Sequence, residues 1–201
     1  MTQELSNFGD HAVATMQTSA SDVAGTSMAG VYHVVCRDAD GNIKWEEKFP
    51  NLVVAVGKQL MLDTLLSGTS YTTVGPFLGL ISGSSSTYSA SDTMSSHGGW
   101  TEFTNYTVGG SAVRGTASFG SATSSGSTPS NVTTKTATAI TYTITGAGGT
   151  VGGCFLVTGS GASSTQGNTS GTLYSAGSFS TAKITTAGDT VSVTYSTTAT
   201  S

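Results

Sequence analysis

The sequence predicts an all-β fold: an antiparallel, jelly-roll-like β-sandwich with one short helix and an extended N-terminal arm. Three observations predict it. Charged residues make up 9% of the 201-residue chain, against roughly 25% in an average globular chain. Glycine (27 residues), Ser and Thr fill much of the rest; they form helices poorly and suit short strands and turns. Short apolar runs recur between turn signals, several at period two, and do not alternate with helices as βαβ units would.

Residues 1–30 are polar and loosely patterned. Alone they cannot bury enough apolar area to offset their ordering entropy. They form either a disordered tail or an arm that orders on a neighbouring subunit. Leu5, Phe8, Val13, Met16 and Met28 are spaced as anchors for the second case. The sandwich domain is assigned to residues 31–201. It opens with a strand at Val31–Arg37, a turn at Asp40-Gly41 and a returning strand at Ile43–Phe49. In the return strand Ile43, Trp45 and Phe49 share a face that Glu47 interrupts. Pro50-Asn51 ends it.

A helix follows within Val54–Leu66, with Val56 and Leu60, and Met61 and Leu65, at i, i+4 spacing and Ser67-Gly68 closing it. Phe77–Ile81 and Ala112–Phe119 read as strands, and Ser121–Ser130 as a low-complexity surface loop. Ala137–Ile144 and Val151–Val157 are strands around a Gly146–Gly149 turn. After a polar loop at Gly159–Gly171, Leu173-Tyr174, Phe179 and Ile184 mark short strands. Gly188-Asp189 turns into Val191–Tyr195, a period-two strand, before a Ser/Thr tail.

Composition also excludes functions. The net charge is −4 and the seven Lys and Arg form no cluster, so nucleic-acid binding lacks its electrostatic basis. No apolar run approaches the length of a membrane span, and residues 1–6 lack the basic and apolar regions of a secretory signal. Cys36 and Cys154 each sit in a strand-like run. They are either buried thiols or a disulfide joining facing strands. Asp38, Asp40 and Asn42 resemble the start of a calcium loop but lack its closing Glu. Gly57-Lys58 lacks the earlier glycine and following hydroxyl of a phosphate loop. No cofactor is expected.

The stretch from Asp92 to Tyr106 carries the densest chemistry. Asp92, His97, Trp100, Glu102 and Tyr106 crowd together around Gly98-Gly99. Asp92, His97 and Glu102 could in principle form a metal triad or an acid/base pair. No nucleophile motif or ligand spacing accompanies them. The structural reading is a loop folded back on the sandwich. Asp92 and Thr93 start its turn, the two glycines permit a reversal at positive φ, Trp100 plugs the sandwich edge, and Glu102 pairs with Arg114.

Gly57-Lys58, Leu62-Asp63-Thr64-Leu65-Leu66, Phe77–Ile81, Asp92-Thr93-Met94, His97–Glu102, Tyr106, Arg114, Val151-Gly152-Gly153, Phe155-Leu156 and Gly188–Val191 together resemble a group of tailed-bacteriophage virion proteins. The resemblance covers about residues 31–197 and looks like that of capsid decoration, or cement, proteins. It implies a β-sandwich or jelly-roll module on the outside of the phage head, oligomeric and often trimeric. Its partners would be the major capsid protein and its own copies. The protein would be made in the bacterial cytoplasm. The family has no catalytic motif to carry over. Similar modules in phage tails and head fibres leave host-glycan binding as the alternative.

Overall fold

A computed structural model describes residues 27–66, 74–83, 87–125 and 132–200. These form an antiparallel β-sandwich with one helix. The strands are β1 (Ser27–Arg37), β2 (Ile43–Pro50), β3 (Leu52–Val53), β4 (Phe77–Ser82), β5 (Thr101–Phe103), β6 (Tyr106–Thr107) and β7 (Gly115–Thr116). There follow β8 (Thr123–Ser125), β9 (Val132–Thr136), β10 (Ile140–Ile144), β11 (Gly149–Thr158), β12 (Thr172–Thr185) and β13 (Thr190–Thr200). The helix α1 (Ala55–Leu66) sits between β3 and β4.

One sheet, called A, runs β2-β1-β13-β10-β6, with β9 also on β13 and β8 on β9. The other, sheet B, runs β3-β12-β11-β4-β5, with β7 on β4. The chain passes repeatedly between the sheets, and every pairing is antiparallel. Period-two alternation sets the inner face. Tyr32, Val34 and Cys36 of β1, Ile140, Tyr142 and Ile144 of β10, and Val191, Val193 and Tyr195 of β13 all point inward. They meet Leu78, Leu80, Cys154 and Leu156 of sheet B. Cys36 and Cys154 are both free thiols in this core.

Sheet B is buried on both faces. Residues Val151–Thr158 of β11 are buried without a break, the pattern of a doubly covered strand. A second apolar cluster lies on its outer side: Ile81, Phe155, Val157, Leu173 and Ala176 under Met94, Trp100, Val54 and Ala162. Sheet A has no such cover among the described residues. Its outward positions are half-buried or exposed and include Val31, His33, Val35, Thr141, Ser192 and Thr194.

Several elements differ from the sequence reading. The sandwich starts at Ser27 rather than Val31, because β1 stays in register with β13 as far as Ser27 opposite Thr200. Likewise the Ser/Thr tail extends β13 to Thr200, held by β1 on one side and β9 on the other. Of Ala112–Phe119 only Gly115–Thr116 joins a ladder, since the Arg114 N–H donates to the Ser164 carbonyl at 2.7 Å instead. Leu173, Phe179 and Ile184 belong to one strand, β12, whose ladder to β11 breaks between Ser178 and Lys183. There Phe179 packs edge-on against Trp45 and Phe49 of β2. Glu47 does not interrupt the inward face of β2 but uses it: its carboxylate accepts the Ser180 N–H at 2.7 Å and pairs with Lys183 at 2.9 Å. Within Ser121–Ser130, residues Thr123–Ser125 form β8; Ser67-Gly68 and residues 1–26 lie outside the described residues.

Asp38 closes the β1–β2 turn, accepting the Asp40 and Asn42 N–H groups at 3.0 and 2.8 Å. At the same end of the sandwich Asp189 is buried in the β12–β13 turn. It accepts Lys44 Nζ at 2.6 Å, the Thr186 N–H at 2.9 Å and the Thr186 hydroxyl at 3.1 Å. Burial alone would raise the Asp189 carboxyl, but Lys44 and Thr186 outweigh it and hold the group below its usual range. A carboxyl lowered in the folded state contributes stability above its unfolded pKa of about 4 and loses it as pH falls through the lower folded value. Melting temperature should therefore drop as pH is taken below about 4, and Lys44→Met should flatten that drop. An equally steep acid limb in Lys44→Met would contradict the assignment.

Helix α1 lies close against β12. A Cβ on Gly57 would stand 2.5 Å from the Tyr174 carbonyl oxygen. Helix propensity favours Ala over Gly by about 1 kcal/mol, but this contact opposes it, and overpacking costs about 1–3 kcal/mol. Gly57→Ala should lower the denaturant midpoint. A raised midpoint would mean that the helix moves away freely.

Candidate functional site

The stretch from Asp92 to Tyr106 folds across the outer face of sheet B. Thr93 and Ser96 exchange backbone bonds at 2.9 and 3.2 Å, forming a miniature hairpin. The Asp92 carboxylate points backward rather than into that turn. It accepts the Ser89 N–H at 3.1 Å and the Trp100 indole N–H at 3.2 Å. Gly98 and Gly99 do not use positive φ. Gly99 instead supplies space, since a Cβ there would collide with the Thr87 carbonyl.

Trp100 lies on the broad face of the sheet rather than at its edge. Its ring is 5.1 Å from that of Phe155, and Phe155 sits on β11 between β12 and β4. The ring of Phe155 covers Gly79, its cross-strand partner, leaving no room for a side chain there. His97 stacks on Trp100 at 3.9 Å and its Nδ1 donates to the Trp100 carbonyl at 3.0 Å.

Glu102 and Arg114 form a bidentate pair. Arg114 Nε donates to Glu102 Oε1 at 2.9 Å and Nη2 to Oε2 at 2.7 Å. Arg114 is 0% exposed and Glu102 7% at the side chain. Arg114 also donates to the Ser163 and Asn168 carbonyls at 3.0 and 2.7 Å, and its guanidinium lies 5.1 Å over the Phe155 ring. Glu102 accepts the Gly167 N–H at 2.7 Å. Tyr106 donates its hydroxyl to Glu102 at 3.5 Å. Burial and then the Glu102 charge push the Tyr106 phenol well above its ordinary range.

The six singled-out residues thus divide into two groups. Asp92, His97 and Trp100 form one hydrogen-bonded unit; Glu102, Tyr106 and Arg114 form the other. Phe155 touches both. Asp92 and Glu102 are committed to different partners, and no group of three His, Cys, Asp or Glu among the described residues is placed to hold a metal. The loop Gly159–Gly171 was not singled out from sequence, yet it supplies five contacts to the second unit: the three above, the Ser164 carbonyl on the Arg114 N–H, and the Gln166 amide on the Tyr106 carbonyl at 3.0 Å. Polar composition hid it, because apart from the Gln166 amide it contributes backbone groups that any side chain could carry. Leu5, Phe8, Val13 and Met16 of the arm lie outside the described residues.

No family model matches this chain, and no curated protein or solved structure matches it.

This geometry makes the stretch a clasp. Trp100→Ala removes the side chain that joins the loop to the sheet, at about 3–5 kcal/mol for a buried Trp. The variant should melt lower and be cut by protease between Thr87 and Trp100. An unchanged melting curve with an intact loop would refute the clasp.

Proposed function

We propose that this protein is a non-enzymatic virion structural protein that decorates and stabilises a bacteriophage capsid as an oligomer, in the form of a trimer. The observation that carries the reading is the contrast between the two outer faces. Sheet B is roofed by the clasp and by Ala162. Sheet A offers an open face of hydroxyls and short apolar side chains, with the His33–Glu46 pair at 2.7 Å towards β2. Such a face adheres through many weak contacts that symmetric repetition multiplies, and a three-fold arrangement suits sites where capsid subunits meet.

The polar side chains of the clasp support the same reading. Those of Asp92, His97, Trp100, Glu102 and Tyr106 bond to the protein itself, so their chemistry is spent on structure. The resemblance to cement proteins points the same way, with the major capsid protein as partner and the capsid exterior as location. For the glycan-binding alternative an exposed aromatic groove would be needed. Trp100 is buried under the clasp and Trp45 packs on Phe179, so neither tryptophan favours it.

Tailed-phage heads lacking their decoration protein provide the test. The protein should bind them at fixed stoichiometry and light scattering should give a trimer mass. Thr194→Glu on the open face should weaken decoration about tenfold while shifting stability by no more than about 0.5 kcal/mol. Binding to host cells in place of heads would overturn the reading.

A further inference from the structure

A cavity of about 300 Å³ opens between α1 and the end of the sandwich. Leu60, Met61, Leu156, Phe119 and Tyr195 line it, and Lys135 stands at its polar side. Beside it α1 exposes three leucines, Leu62 (57%), Leu65 (76%) and Leu66 (79%). Together they make the most apolar uncovered surface of the described residues, on a chain that otherwise exposes hydroxyls. Exposed apolar patches of this kind mark docking sites.

The path of the chain names an occupant. Thr197 and Tyr195 of the cavity wall pair with Gly30 and Tyr32 of β1. From Gly30 to Ser27 the strand runs about 10 Å. Ser27, the first described residue, therefore lies about 10 Å beyond the cavity wall. The chain between Met16 and Ser27 can reach up to about 36 Å, ample to bring Met16 and Val13 back over α1. The segment has apolar side chains at Leu5, Phe8, Val13 and Met16. It carries Glu4, Asp10 and Asp22 and no Lys or Arg, which complements Lys135. We infer that residues 1–26 dock in cis on this cavity and on the exposed leucines of α1 in the free protein. Docking shields the leucines from association between copies. It requires nothing of the capsid role.

Methyl-labelled methionine in the full chain tests this directly. Met61 lines the cavity, while Met94 lies in the separate cluster under the clasp and serves as reference. A spin label is attached at Ala12→Cys. Cys36 and Cys154 are buried; burial pushes the Cys36 thiol up to about 11 and the Cys154 thiol higher still, so neither is labelled in the folded protein. The label should reduce the Met61 signal to less than about half and leave Met94 unchanged, and Lys135→Glu should restore most of the loss. A Met61 signal unaffected by the label overturns the inference. So does a Met61 loss that appears when spin-labelled chains without methyl label are mixed with methyl-labelled chains without spin label, because the segment then docks on another copy.

Discussion

The Arg114–Glu102 pair is the constraint on which the clasped side of the molecule depends. A fully buried guanidinium loses its hydration, and the loss is offset only when its donors are met. Here the two Glu102 oxygens and the Ser163 and Asn168 carbonyls meet them. The consequence is positional. β5, the turn before β7 and the loop Gly159–Gly171 must all arrive in one arrangement, or a charge is left stranded. Buried pairs of this kind add less to net stability than to uniqueness when the alternatives leave them broken. Phe155 then sits between the ionic unit and Trp100, so the ionic and aromatic contacts share one residue.

The low charge content of the chain acquires a physical sense in this setting. Six of the fifteen charged residues in the described chain are spent on three internal joints: Glu47 with Lys183, Asp189 with Lys44, Glu102 with Arg114. Two of them tie elements far apart along the chain, linking β2 with β12 or with the turn that follows it. What remains on the open face of sheet A is mainly hydroxyl and short aliphatic. That surface can lie against another protein without first stripping strongly hydrated ions.

Where the fold depends on side-chain pattern it was legible in the sequence. The helix showed in its i, i+4 apolar spacing, β10 and the first half of β13 in strict alternation, and the Glu102–Arg114 pair in the scarcity of other charges nearby. Features held by the backbone were silent. The extension of β13 through Ser196–Thr200 shows only Ser, Thr and Ala because its neighbours β1 and β9 hold it through main-chain bonds. The loop Gly159–Gly171 contributes mostly carbonyls and an N–H, which leave no trace in residue type. Ala112–Phe119 read as a strand, while Ser164 had captured the hydrogen bond that a strand needs. The cover on sheet B was partly visible, since Val151–Val157 is apolar without alternation, yet that run alone does not say what lies above it.

The place of β13 has a consequence for how the chain is made. It is an interior strand of sheet A, flanked by β1 along its whole length and by β10 and β9 on the other side, yet it is the last strand of the described chain. Until it emerges from the ribosome the sheet is two separate fragments with a gap between them, and Val34, Tyr142 and the other inward residues have no completed wall. The N-terminal hairpin must wait for a partner some 173 positions away, as the Ser27–Thr200 contact shows. Pairings of such long range make folding slow. Sheet A therefore cannot close until β13 has been made, and the nascent chain passes through a stage with two open strand edges.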